Sequence, residues 1–295
     1  MKTLVADIGG TNSRLAIAIT SRQDKEITLK NIHKFRNSDF NNFDEVIKRY
    51  LSISDERSIS RMCIAAAGII SDTTVEMSNL NWKITVPSLQ KTTKIDEVFI
   101  INDLQAQGYA LDFIEPNDLE ELIAGSYSKV PNDTKLVCGM GTGFNVAIAY
   151  QTAFGTFVPA SEYGHARTTT ANEKQKMILK KLEENSSFVS YENILAGPGL
   201  NRLDQVLNQR KDRTPSDILS AAQEGDFKAK EVGSQLAGFA GQAFGDFALM
   251  NMALGGVYLI GGVARAIMPY LKEENFKQNF YNRGNFSEIM KKISV

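Results

Sequence analysis

Two stretches of the chain set hydroxyl, amide and carboxylate side chains among closely spaced glycines: "VADIGGTNSRLAIAI" at 5–19 and "VCGMGTGFNVAIAY" at 137–150. In the first, Asp7 ends an apolar run, Gly9 and Gly10 bare the backbone, and Thr11, Asn12 and Ser13 add groups able to bind phosphate oxygens. In the second, Gly139, Gly141, Thr142 and Gly143 follow the same plan. Glycine accepts positive φ and lets a ligand approach the backbone. Either turn alone reads as an ordinary tight hairpin. Together they suit a polyphosphate held by two sets of backbone N–H donors. No G-x-x-x-x-G-K-[ST] occurs, and "GGTNSRLA" runs into a β-like segment where a dinucleotide turn would open a helix. A third stretch, "LGGVYLIGGVA" at 254–264, brackets an apolar strand with Gly255, Gly256, Gly261 and Gly262. It is either a core strand with two turns or a bare backbone surface for adenine and ribose.

A different chemistry is offered by Asp103, which follows the apolar run "VFII" just before a helical pattern. A carboxylate at such a strand end either accepts a proton in a cleft or caps the helix. His165 is one of only two histidines and lies in an "EYGH" turn, whereas His33 has strand-like surroundings. Trp82 reads as a core or domain-edge residue.

The elements that must hold these residues follow from periodicity. Short β-like runs ("TLVADI", "RLAIAI", "EITLKNIHKF", "RMCIAAAG", "TTVEMS", "EVFIIND") and a helix in "NNFDEVIKRYL" make an α/β domain over 1–108. Over 109–295 helices dominate: "NEKQKMILKKLEE", "GPGLNRLDQVLNQ", "PSDILSAAQEG" and a long run from Phe227 to Ala253, interrupted by strands in "KLVCGM", "FNVAIAY" and "GGVYLIGG". The seam falls in "NDLQAQGYAL", with no flexible spacer, so a hinge and a cleft between the domains are expected.

Composition narrows the function class. With 33 Lys+Arg against 34 Asp+Glu the net charge is -1, which gives no general attraction for nucleic acid or anionic membrane. The start "MKTLVADIGG" is too short and polar for a signal peptide, and no stretch is apolar enough to span a bilayer. Cys63 and Cys138 lack metal-site spacing and read as buried thiols in a reducing cytoplasm.

"DIGGTNSRLA", "NDLQAQGYAL", "GTG", "EYGH", "ENILAGPGL" and "GGVYLIGG" occur in the order found in bacterial-type glucokinases, and the chain resembles that family from Met1 to Val295. The family belongs to the superfamily of hexokinases, chaperone ATPases and actin. The resemblance implies a two-domain actin-like (ribonuclease H-like) α/β fold with mixed sheets flanked by helices. It implies transfer of the γ-phosphoryl of ATP to the 6-hydroxyl of glucose, the first step of glycolysis, in the cytoplasm. Asp103 would then be the base, with Asn79, Asn102, Glu162, His165 and Glu192 joining it around the sugar. Asp7, Gly9, Gly10, Thr11, Asn12, Gly141, Thr142, Gly143, Gly261 and Gly262 would hold the nucleotide. Mg²⁺ would arrive with ATP, held by phosphates and water, with Asp7 the nearest carboxylate. The partners implied are the hexose and ATP, with no nucleic acid or membrane and with room for a homodimer.

Three features depart from the family pattern. Asn145 in "GTGFN" stands where a glycine is usual, and a tolerance of positive φ would let the turn survive. Tyr163 in "EYGH" replaces a glycine, and either narrows the pocket or faces solvent. The chain stops on "KKISV", where relatives complete a strand and add a helix, so a further element is expected. A zinc motif of the related repressor and sugar-kinase family is missing. The competing readings are a sugar-sensing regulator, which would need a basic DNA-binding domain, and an actin-like ATPase, which would need no hexose pocket.

Overall fold

Leu4, Ala6 and Ile8 occupy alternate positions, as do Leu15 and Ile17, and their side chains are buried along two successive strands. The computed structural model describes residues 1–20, 27–56, 58–77, 80–126 and 133–295, which divide into the units Met1–Ala106 and Gln107–Val295. In the first unit the strands are β1 (Lys2–Ile8), β2 (Asn12–Thr20), β3 (Ile27–Arg36), β4 (Arg61–Ala66), β5 (Gly68–Ser71), β6 (Thr74–Met77), β7 (Lys83–Thr85) and β8 (Glu97–Asn102). The helices are α1 (Phe43–Ile53), α2 (Val86–Thr93) and α3 (Asp103–Ala110), and the division between units falls inside α3.

The main sheet has the order β3-β2-β1-β4-β8, with β1 to β3 antiparallel and β4 and β8 parallel to β1. A second, small antiparallel sheet has the order β5-β6-β7; β6 is the expected "TTVEMS" strand, while the short β5 and β7 go beyond what periodicity shows. Helix α1 starts at Asn42, whose side chain accepts the Glu45 N–H, and buries Phe43, Val46, Ile47 and Tyr50 in the core. Each such side chain contributes about 1.5–3 kcal/mol relative to exposure. Trp82 is core, 7% exposed with its ring 6.3 Å from Phe43, and His33 packs edge-on to Tyr50.

The second unit carries β9 (Lys135–Met140), β10 (Phe144–Thr152), β11 (Gly155–Phe157) and β12 (Val257–Ile260), in the order β11-β10-β9-β12. Its helices are α4 (Glu173–Glu183), α5 (Tyr191–Leu195), α6 (Gly197–Asn208), α7 (Pro215–Gln223), α8 (Phe227–Met250), α9 (Gly262–Ala266), α10 (Met268–Leu271), α11 (Glu274–Tyr281) and α12 (Ser287–Met290). Helix α8 is the spine of this core, and α11 packs close to its backbone: a Cβ on Gly241 would lie 2.4 Å from the Phe276 carbonyl oxygen. The last residues are tied in by backbone bonds, Val257 N–H donating to Ser294 O at 2.9 Å and Val295 N–H to Ile123 O at 3.0 Å.

Among the described residues no helix is long and apolar enough to cross a membrane. Cys63 on β4 and Cys138 on β9 are unpaired, and burial pushes both thiols up.

Candidate active site

Strand register brings together the candidate residues of the first unit. Ile8 of β1 is opposite Ala66 of β4, which is opposite Asn102 of β8, so the turn at 9–11 and Asp103 leave the same end of the sheet. The carboxyl ends of parallel strands are where open α/β sheets bind ligands. The turn closes with Gly9 N–H donating to Asn12 O at 3.0 Å. Its brace is Asn37, only 2% exposed: the backbone N–H donates to Thr11 O at 2.9 Å, and Nδ2 to Gly9 O at 2.8 Å. The Asn37 Oδ1 accepts the Ser13 hydroxyl at 2.8 Å. Ser13 is fully buried and committed to that bond, which corrects its reading as a phosphate-facing group. Thr11 is exposed and Asn12 half-buried at the start of β2. The exposed Asp7 carboxylate takes a 3.0 Å ion pair from Arg14, directly opposite it on β2.

Asp103 is the first residue of α3, and Asn102 caps that helix, its Oδ1 accepting the Leu104 N–H at 2.9 Å. Leu104 N–H also reaches Asp103 Oδ1 at 2.9 Å. Burial holds the Asp103 carboxyl above the ordinary range, with the charge of Asp7 adding to the rise and the Leu104 N–H opposing it. A half-buried carboxylate with raised proton affinity is a stronger base than an exposed one.

In the second unit the turn follows β9 and leads into β10. Gly141 N–H donates to Gly143 O at 2.9 Å, and Gly197 N–H, at the start of α6, donates to Gly141 O at 2.8 Å. Glu192 is placed by α5, whose start is fixed by a reciprocal Ser190–Asn193 capping box. Its Oε2 accepts the Phe144 N–H at 3.1 Å, and a Cβ on Gly143 would meet that same oxygen at 2.8 Å.

Gly141, Thr142, Gly262 and Val263 line a cavity of about 550 Å³ with Gly197, Pro198, Asn201 and Pro215. These last four were not singled out from sequence; the signal available was the proline that opens α6 and α7. The α6 N-terminus beside Gly141 adds N–H donors and a favourable dipole for anions.

The glycines do not all work as the motif suggests. Positive φ is absent at Gly9, Gly141, Gly143 and Gly262, and is found at Gly261, where φ is +105° and a Cβ would lie 2.1 Å from Met140 O. Openness serves at Gly141 and Gly262, where an added Cβ would meet nothing within 4 Å. Gly255 sits at the other end of β12, bonded through its N–H to Thr134 O.

The "EYGH" turn brings Glu162 and His165 together, Oε2 to Nε2 at 3.8 Å, with both side chains more than half exposed. It is pressed onto the start of β10, since a Cβ on Gly164 would lie 1.9 Å from Phe144 O. Asn145 lies within β10 opposite Gly139 and without positive φ, so its expected part as a tolerant turn residue is corrected. Tyr163 neither narrows a pocket nor faces solvent: its ring packs edge-on to Phe247 at 4.9 Å and its hydroxyl accepts from Asn251 at 3.2 Å. Asn79 lies outside the described residues. No group of three or more His, Cys, Asp or Glu suited to a metal occurs among the described residues. Asp7 alone fits a cation carried mainly by another ligand.

Comparison with known proteins gives the family. The glucokinase family model matches residues 4–295. A glucokinase of Saccharophagus degradans is 30% identical over 299 residues, covering 99% of this chain and 92% of that protein. The crystal structure of a glucokinase from an Antarctic psychrotroph is 29% identical with a TM-score of 0.90, covering 100% of this chain and 93% of that one. A glucokinase from Streptomyces griseus, solved in complex with glucose and AMPPNP, shares the fold at 17% identity and a TM-score of 0.57, covering 95% and 90% of the two chains. With a family model matched over residues 4–295 and a relative 30% identical along nearly its whole length, the chain belongs to the glucokinases.

Proposed function

We propose that this protein transfers the γ-phosphoryl group of ATP to the 6-hydroxyl of glucose. The observation that carries the reading is Asp103, a half-buried carboxyl with raised proton affinity at the sheet end that also bears the Gly9 turn. Asp103 accepts the 6-hydroxyl proton as the oxygen bonds to the γ-phosphorus and the bond from that phosphorus to the ADP oxygen breaks. The proton then leaves to solvent. Glu162, His165, Glu192, Asn102 and Asn79 bind the sugar hydroxyls, which both donate and accept. N–H groups of the turns around Gly9, Gly10, Thr11 and Asn12 and around Gly141, Thr142 and Gly143 orient the phosphates, with Gly261 and Gly262 on the adenosine side. Mg²⁺, where bound with ATP near Asp7, offsets charge on the phosphate oxygens. The setting is the cytoplasm, and the partners are the sugar and the nucleotide.

Sugar phosphate formation measured with glucose, mannose, fructose and no sugar, with ATP and with polyphosphate as donor, and ADP release followed in the ATP reactions, tests this. Glucose-dependent ADP release with glucose 6-phosphate as product is expected. Equal ADP release with and without sugar would leave an actin-like ATPase instead.

A further inference from the structure

We propose that Asn145 is a positioning residue that sets the Glu162 carboxylate for sugar binding, an inference that rests on the sugar-binding part given to Glu162 above. Three of the four hydrogen bonds of this half-buried amide go to the segment that carries Glu162 and His165. Its Nδ2 donates to Ser161 O at 2.9 Å and to Glu162 Oε2 at 3.0 Å. Its Oδ1 accepts Gly164 N–H at 3.2 Å and the N–H of its own neighbour Val146 at 2.8 Å. One side chain thus fixes the backbone before Glu162, the backbone after Tyr163 and the carboxylate between them.

The geometry of Glu162 makes such a brace necessary. Its side chain is 58% exposed, and its neighbour His165 is 3.8 Å away, beyond hydrogen-bond distance. An exposed glutamate has several rotamers of similar energy, and a ligand that needs one of them must bear the entropy of selecting it. A bond from Asn145 to Oε2 selects that rotamer in advance, while Oε1 keeps its capacity to accept a sugar hydroxyl. Asn145 is itself held by β10, paired opposite Gly139 of β9, so the brace stands on sheet and not on loop. The residue just before it, Phe144, gives its N–H to Glu192, so the first two residues of β10 orient both carboxylates assigned to the sugar in this unit.

Asn145→Ala is expected to raise the KM for glucose about tenfold, as loss of a hydrogen bond to a charged group does, with kcat and the KM for ATP within about twofold of the parent. Asn145→Asp is the second variant. It retains the oxygen that accepts from Val146 and Gly164, so the turn keeps its backbone bonds, but it sets a carboxylate against Glu162 and should raise the glucose KM further. The deciding measurement is a double-mutant cycle read by glucose binding calorimetry: in a Glu162→Ala background, Asn145→Ala should change glucose affinity less than about twofold. An unchanged glucose KM in both Asn145 variants, or an equal loss in the Glu162→Ala background, overturns the inference while leaving the kinase reading intact. A parent protein with no glucose-dependent turnover and no glucose binding overturns the kinase reading itself.

Discussion

The two glycine turns share a strand plan and differ in what clamps them. The first is held by Asn37, a neutral amide sealed inside its unit with three partners fixed by the fold. The second is held by the N-terminus of α6 and by Glu192, a half-buried carboxylate that is also a candidate sugar ligand. A buried neutral brace keeps one geometry whatever the solvent or ligand does. A carboxylate that serves both a backbone N–H and a sugar hydroxyl makes the shape of its turn depend on the sugar. Under the sugar-binding part proposed for Glu192, the first turn is preformed and the second is adjustable.

The largest expected effect belongs to neither turn and sets the scale for both. Asp103→Asn should lower kcat by about 10²- to 10⁴-fold with glucose binding retained, the worth of a positioned base. Near-parent turnover at saturating substrates would make Asp103 a structural carboxylate. Within the turns, Asn37→Ala should cost about 1–3 kcal/mol in urea unfolding, since it strands the Gly9 carbonyl and the Ser13 hydroxyl. Glu192→Gln, whose amide oxygen can still accept from Phe144, should cost less than about 1 kcal/mol while weakening glucose binding. Equal losses of stability would erase the contrast between the braces.

A finer test exchanges single glycines. Gly143→Ala places its Cβ 2.8 Å from the Glu192 oxygen and should raise the glucose KM about fivefold by turning that carboxylate aside. Gly9→Ala meets only Asn12 O at 3.6 Å, an ordinary contact at a residue without positive φ, and should leave the glucose KM unchanged. Both KM values rising together would mean that the first turn also reports on the sugar.

The smallest effects concern protons. Because the Asp103 carboxyl is raised above its unfolded value, its contribution to stability is present below the ordinary carboxylate range, near pH 4, and is lost as pH rises through the folded value. At pH 7 the buried charge therefore weighs against the fold, and Asp103→Asn should raise the melting temperature by roughly a few degrees even as it removes turnover. In the parent, kcat/KM should fall on the acid side at a pH above that of an ordinary carboxylate. A variant melting below the parent at pH 7 would contradict the assignment of burial as the cause.

The strands and the glycine turns were legible because alternation and glycine carry their meaning locally: Leu4, Ala6 and Ile8 face one way whatever surrounds them. Asp103 was legible as either a base or a helix cap, and in the fold Asn102, a residue earlier, shares the Leu104 N–H with it. Other parts depend on distance along the chain. Nothing in "FRNSDF" marks Asn37, which acquires its role by closing on residues 24 to 28 positions away. Helix α5, five residues long, is too short for periodicity to reveal, although it carries Glu192. Helix α2 begins across Pro87, which reads as a breaker until Thr85 is seen accepting the Ser88 N–H. Asn145 looked like a lost turn glycine because the pattern shows what is absent, and only the fold shows what the amide reaches.

The footing of Tyr163 against Phe247 and Asn251 bears on how sugar choice could be altered by laboratory evolution. Four consecutive codons, 162 to 165, look like the natural place to randomise. Two of them are closed: Tyr163 faces the hydrophobic body of the unit, and Gly164 has no room for any side chain against Phe144. Variants at those positions would be removed by misfolding before their sugar preference was ever sampled. Diversity placed at Glu162 and His165, with Asn145 drawn into the same library, would spend its members on recognition.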